Sequence, residues 1–147
     1  MKYYFLLFTL LFSFSAISQV KYETIYSEKL GEDREIKIQL PRNYESNSEK
    51  RYPIFIVLDG DYLFEPVAGN VDFYSYWEDM PEAIVVGINQ LNTRIDDGYF
   101  DDTNYFPSNS GANFFEFIGL ELLPYLDTNY RTAKFVIAVG HDYTSNF

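Results

Sequence analysis

Hydrophobic positions follow several rhythms along this chain. Residues 22–27 and 35–40 both have the look of strands, and in the second Ile36, Ile38 and Leu40 alternate with Glu35, Lys37 and Gln39. A period of two with one apolar face predicts two half-exposed strands paired antiparallel. Gly31-Glu32-Asp33 supplies the turn between them. Residues 41–52 are polar, rich in Asn, Ser, Glu and Lys, and read as a solvated loop.

From Pro53 the alternation stops, and apolar residues run unbroken through 54–58, 83–87 and 135–139. Such runs predict strands covered on both faces, as in a parallel sheet flanked by helices. The stretch 135–139 therefore reads as a central strand, whose far edge would invite aggregation if left bare. Residues 65–77 carry a helical pattern of poor period. Residues 111–126 carry a better one, with Phe115, Ile118, Leu122 and Leu126 forming a stripe that Phe114, Leu123 and Tyr125 widen. Ser110 or Asn113 is placed to cap this helix, the latter with Glu116 three residues on. Pro124 offers no amide to the carbonyl of Leu120, so a kink is expected in the last turn. The pattern as a whole is that of one α/β domain.

The amino terminus has a different texture. Lys2 precedes an apolar run over residues 3–14, too short to span a bilayer but suited to the core of a secretory signal. Ala16 and Ser18 flank Ile17 in the small-residue pattern of a cleavage site. A cut between Ser18 and Gln19 is expected, leaving residues 19–147 as a periplasmic or secreted domain. An uncleaved anchor needs about twenty apolar residues, and Ser13, Ser15, Ser18 and Gln19 interrupt the run.

Charge and composition narrow the partners. The chain carries a formal charge of −11, and loss of Lys2 with the signal makes it more acidic still. Such a balance repels phosphate backbones and anionic lipid, which argues against nucleic-acid and membrane-surface roles. There is no cysteine, which excludes disulfides, thiolate metal sites and a Cys nucleophile. An exported domain of this kind must be held by its core, and a composition 47% hydrophobic and 20% aromatic provides one.

After the last strand the sequence turns sharply, through Gly140-His141-Asp142-Tyr143-Thr144-Ser145. Strand, tight turn and helix make a nucleophile elbow, G-x-Nu-x-G. Its turn lifts one side chain above the sheet edge and points the amino terminus of the next helix at it. Gly140 fits this layout. Asp142 stands at the nucleophile position, and β-branched Thr144 stands where a second glycine normally eases the turn.

With the elbow in view, the chain resembles the exported esterases of the α/β-hydrolase fold, which include enterochelin esterases, S-formylglutathione hydrolase and mycolyltransferases. The resemblance rests on Tyr52-Pro53 through Leu58-Asp59-Gly60, on residues 83–89 with Arg94 and Asp97, and on Gly111-Ala112 with residues 114–118. It continues in Glu121-Leu122-Leu123-Pro124-Tyr125 and in Asn129-Tyr130-Arg131-Thr132 ahead of Gly140-His141. It implies the amino-terminal portion of an α/β-hydrolase sheet: two antiparallel leading strands, then parallel strands with crossover helices, ending at the elbow. It also implies a Ser-His-Asp/Glu triad that hydrolyses or transfers the acyl group of a small-molecule ester, with no cofactor and no metal. By position, Asp142 replaces the serine, and the backbone amides of Asp61 and Tyr143 form the oxyanion hole. The family's acid and histidine lie beyond the elbow, so the expectation is an incomplete esterase, inactive as such in this form. The one histidine, His141, sits beside the nucleophile position and cannot turn round to serve as its base.

Asp142 is open to three readings. It is a nucleophile toward alkyl carbon, as in epoxide or haloalkane hydrolases, since a carboxylate attacking an ester gives an energetic anhydride. Alternatively it is a helix cap or ligand-binding carboxylate in a pseudoenzyme without turnover. The third reading is an error in the sequence. His141 reads as a packed polar residue rather than a metal ligand, because no second His or Cys joins it. Asp96, Asp97, Asp101 and Asp102, with Asp59 and Asp61 elsewhere, lack EF-hand spacing and read as a solvated acidic loop. Tyr62, Phe64, Phe73, Tyr74, Tyr76 and Trp77 follow the oxyanion strand and form either core or a substrate wall.

Overall fold

The computed structural model describes residues 20–146; the proposed signal and its cleavage point between Ser18 and Gln19 lie outside the described residues. Five strands form one mixed sheet: β1 (Val20–Ser27), β2 (Glu32–Gln39), β3 (Tyr52–Val57), β4 (Ile84–Ile88) and β5 (Thr132–Val139). Their order across the sheet is β1-β2-β4-β3-β5. β1 and β2 form the expected antiparallel hairpin, in register from Ser27 opposite Glu32 to Val20 opposite Gln39. β2 runs antiparallel to β4, while β3 is parallel to both β4 and β5. The hairpin turn falls earlier than the sequence suggests. Gly31, at φ 71°, makes the reversal, which leaves Glu32 and Asp33 free to extend β2.

Helices cover both faces. On one lie α1 (Gly60–Tyr76) and a small core of Val57, Val85, Phe64, Ala68 and Val71. On the other, α3 (Ser110–Glu116), a π-helical stretch (Phe117–Leu122) and α4 (Leu123–Asn129) bury Phe114, Phe117, Leu122 and Leu126 against Ile36, Ile38, Ile54, Ile56, Ile84, Val86 and Ile88. The single turn α2 (Arg94–Asp97) lies between β4 and α3. Among the described residues, no helix is long and apolar enough to cross a membrane.

The polar face of β2 is less exposed than its alternation implies. Lys37 is buried beneath α1 and donates to Glu65 at 2.8 Å. α1 also begins at Gly60, well ahead of the stretch with a visible period. Gly60 is required there by contact: a Cβ on it would lie 2.6 Å from the amide nitrogen of Ile88. That close approach packs the head of α1 onto the end of β4.

The helical stripe near residue 117 differs from the simple 3.6 pattern. Phe114 and Phe117 are fully buried, whereas Phe115, expected inside, is 59% exposed. The cause is the π stretch, where the amide of Leu123 reaches back five residues to the carbonyl of Ile118. The extra residue in the turn sets the buried positions five apart, from Phe117 to Leu122, and shifts the stripe. Widening occurs just before Pro124, where an α-helical turn would crowd the ring against the carbonyl of Leu120. The expected kink is thus taken up as a wider turn. Neither expected cap holds either, since Asn109 precedes the first helical residue, Ser110, and makes no side-chain cap.

β5 has the composition of a central strand and the position of an outer one. Among the described residues it pairs with β3 alone, and Phe135 and Val136 are 62% and 44% exposed. The expectation of burial on both faces is therefore corrected.

Candidate functional site

Neighbouring parallel strands end together at one corner of the sheet. The amide of Leu58, just past β3, donates to the carbonyl of Val139 at the end of β5 (2.8 Å). From there the two chains diverge, one into α1 and the other into the short 3₁₀ segment Asp142–Asn146. Each passes through an aspartate in the left-handed region, Asp59 and Asp142, both at φ 55°. Side chains other than glycine are held in this conformation only where their surroundings over-determine it, and such positions gather at functional sites. Gly140 permits the second turn: a Cβ on it would meet the carbonyl oxygen of Thr144 at 2.5 Å.

Asp142 projects into solvent, and no donor among the described residues reaches its carboxylate. The capping role considered for it falls to Thr144. The hydroxyl of Thr144 accepts the amide hydrogen of His141 (3.0 Å), as the third residue of a capping box does. The same hydroxyl donates to Oδ2 of Asp59 at 2.7 Å, a buried contact across 85 residues of sequence.

Asp59 gathers the rest of the corner. Its carboxylate is 1% exposed and pairs with Arg94, whose Nε donates to Oδ1 at 2.7 Å. Nη2 of Arg94 donates to the carbonyl of His141 at 2.8 Å. The hydrogen bond to Asp59, with the negative charges of Asp59 and Asp142 nearby, raises the affinity of the Arg94 guanidinium for its proton. The amide of Asp59 donates to Oε1 of Gln90 (2.7 Å), and Nε2 of Gln90 donates to Asp97 (3.0 Å). Tyr62 completes the rim. Its hydroxyl lies 3.3 Å from Oδ2 of Asp59 and 3.1 Å from Nδ1 of His141. Partial desolvation and the charge of Asp59 push the Tyr62 phenol up, with Arg94 opposing.

The proposed oxyanion-hole amides belong to residues near the heads of two adjacent helical segments. Asp61 is the second residue of α1, where Tyr62 and Leu63 already donate to the carbonyl of Asp59. First-turn amides ahead of these have no intrahelical acceptor. The Asp61 side chain accepts the Gln90 amide at 2.6 Å. Tyr143 is the second residue of the 3₁₀ segment, its ring 5.4 Å from that of Phe100 and seated against Gly98.

Other candidates separate. His141 is exposed rather than packed, and is tied to the site through Tyr62. Asp97 is not a solvated loop residue: it is buried and paired with Arg34. Asp101 accepts the amides of Thr103 and Asn104 within its own turn, which holds its carboxyl below the usual range. Among the described residues, no group of three or more His, Asp or Glu side chains is placed to hold a metal. Phe64 is core, while Phe73, Tyr74, Tyr76 and Trp77 are exposed at the far end of α1, away from the elbow. Of the aromatic cluster, only Tyr62 borders the site. Gln90 was not singled out by sequence reasoning, and Arg94 carried no role there. One signal was available for Arg94: between Arg51 and Arg131 it is the sole basic residue.

Comparison with known proteins gives this corner a lineage. The profile of the Putative esterase family matches residues 27–142. An uncharacterised protein from Capnocytophaga ochracea superposes with a TM-score of 0.77 at 32% identity, over 86% of this chain and 34% of that one. An IroE-like serine hydrolase from Shewanella oneidensis gives 0.75 at 27%, over 86% and 44%. The enterobactin esterase of Shigella flexneri shares the fold, with 0.68 at 20% identity, over 86% and 31%. The chain thus spans between about a third and a half of the length of these solved structures. No curated protein matches it. The β1-β2-β4-β3-β5 sheet, the left-handed turn at position 142 and the matched profile agree, and the chain belongs to the esterase family of the α/β-hydrolase fold.

Proposed function

We propose that this chain is the amino-terminal, elbow-bearing portion of an exported esterase-lineage hydrolase for a small-molecule ester, and that with Asp at position 142 it does not turn over esters itself. One observation carries the reading: Asp142 lies in the left-handed region just past β5, the place where the elbow motif sets its nucleophile. A carboxylate there would convert an ester into an anhydride, a poor intermediate. The histidine beside it is engaged by Tyr62. The share of the solved relatives that the chain spans, and the apolar outer edge of β5, support the reading of a portion. Export rests on Lys2 and the apolar run after it; Edman sequencing of the exported protein is expected to begin at Gln19.

The test is a serine-directed fluorophosphonate probe, applied to this chain and to any longer native form. No adduct is expected. Stoichiometric labelling of Ser145, which is exposed in the same turn, would overturn the reading.

The carboxylate of Asp142, which no donor among the described residues reaches, favours a second reading, attack on an alkyl carbon such as that of an epoxide or haloalkane. Water then cleaves the resulting ester, so single turnover in heavy-oxygen water places the label in Asp142. Turnover without label in Asp142 would dismiss it.

A further inference from the structure

We propose that Arg94 and Asp59, acting through Thr144, are the positioning residues of the elbow, holding position 142 in its left-handed conformation where the motif otherwise relies on a second glycine. The proposal rests on reading position 142 as the family's nucleophile position. Both backbone polar groups of His141, the residue just before it, are fastened. Its carbonyl accepts Nη2 of Arg94 and its amide donates to Oγ1 of Thr144. Those two fasteners meet on one carboxylate, since Arg94 Nε occupies Oδ1 of Asp59 and the Thr144 hydroxyl occupies Oδ2.

The Thr144 hydroxyl has one proton and two acceptor sites. His141 O lies 3.1 Å from Oγ1 and Asp59 Oδ2 lies 2.7 Å from it, so the shorter, charge-assisted bond to the carboxylate takes the proton. That leaves the oxygen to accept the His141 amide, so the hydroxyl both donates and accepts within the corner. A buried carboxylate persists only when charge and lone pairs are matched, and Asp59 is matched by these same two partners. The clamp is anchored in the sheet through Gln90, which holds the Asp59 amide and reaches Asp97, itself paired with Arg34 of β2. β-branched Thr144 is therefore not a misfit in the motif. It replaces the freedom of glycine with a specific hydrogen bond, and the clamp acts on the backbone whatever side chain position 142 carries. Arginine is needed because its fork spans Asp59 and His141 at once, which the single ammonium of lysine does not.

The test is nuclear magnetic resonance on the full chain, reading the three-bond amide coupling and Cβ shift of Asp142, which report the sign of φ, and amide exchange at His141 relative to Val86 in β4. Thr144→Val keeps the shape and removes the hydroxyl. It is expected to move Asp142 out of the left-handed region and to speed His141 exchange at least roughly tenfold over Val86. Thr144→Ser is expected to restore both, and Arg94→Lys to fail to hold them. Unchanged coupling and exchange in either Thr144→Val or Arg94→Lys would overturn the proposal. So would equal acceleration at His141 and Val86, which would mark Thr144 as a support of the whole fold. Labelling of Ser145 by a fluorophosphonate would leave these readouts untouched, so the functional reading and the clamp fail separately.

Discussion

Arg34 on β2 and Asp97 at the end of α2 are joined by two hydrogen bonds, Nη1 to Oδ2 at 2.6 Å and Nη2 to Oδ1 at 3.1 Å, with each side chain 4% exposed. A pair this deep is costly to break from one side, because the buried Arg34 would keep only half-exposed Glu32 as a carboxylate partner, at 2.6 Å. Asp97→Ala is expected to lower stability by about 3–5 kcal/mol. The double change Arg34→Met, Asp97→Leu is expected to lose much less. Urea unfolding of the three proteins measures both, and equal losses in the single and double variants would refute the argument.

Two glycines of α1 give opposite expectations for the same substitution. At Gly60 an added methyl meets the backbone of Gly87 and Ile88 at 2.6–2.8 Å, whereas at Gly69 nothing lies within 4 Å. Gly60→Ala is expected to destabilise by about 1–3 kcal/mol through overpacking. Gly69→Ala is expected to stabilise by up to about 1 kcal/mol, since alanine is the better helix former. Melting curves in parallel decide it.

Alkaline pH is expected to weaken the fold through Tyr130. Burial, followed by the hydrogen bond its hydroxyl donates to Glu23 (2.6 Å), pushes its phenol well above the ordinary range. The folded state therefore favours the protonated form. The contribution is complete below the unfolded value of about 10 and declines as pH rises from there toward the folded value. Tyr130→Phe removes this proton linkage, so its stability should fall less steeply above about pH 10 than that of the parent. Denaturant midpoints taken across that range test the sign.

Placing serine at the proposed nucleophile position is not expected to create an esterase. Asp142→Ser places a hydroxyl at the elbow, but the neighbouring imidazole is held by Tyr62 and no other histidine exists in the 147 residues. Hydrolysis of p-nitrophenyl acetate by Asp142→Ser should stay at the parent's level. A substantial gain in rate would mean that a base is within reach.

What the sequence reveals here is what repeats locally. The apolar runs of β3 and β4 announce buried parallel strands because every second residue on each face needs cover, and Gly140 with the strand before it announces the turn. The exposure of β5 was hidden, since composition records what a strand is suited to and not which neighbours it has. The stripe on α3 was misplaced by one residue because a period of 3.6 cannot register a π turn. The site's organiser, Asp59, was seen only as a word in a resemblance and as one carboxylate among several. Its partners Arg94 and Thr144 lie 35 and 85 residues away, and nothing periodic links them.

The π turn has a consequence for how a chain of this fold can gain and lose residues. Phe117 and Leu122 both face the core five positions apart, one more than a regular helix would use. Deleting a single residue from a helix ordinarily rotates everything beyond it off its face. Here a deletion at exposed Leu120 would return the spacing to four and keep Phe114, Phe117, Leu122 and Leu126 on one side. The proline would then lie within ordinary α-helix, where its ring has no room. The surplus residue and Pro124 thus behave as a linked pair of characters: a lineage that drops one is expected to have replaced the other.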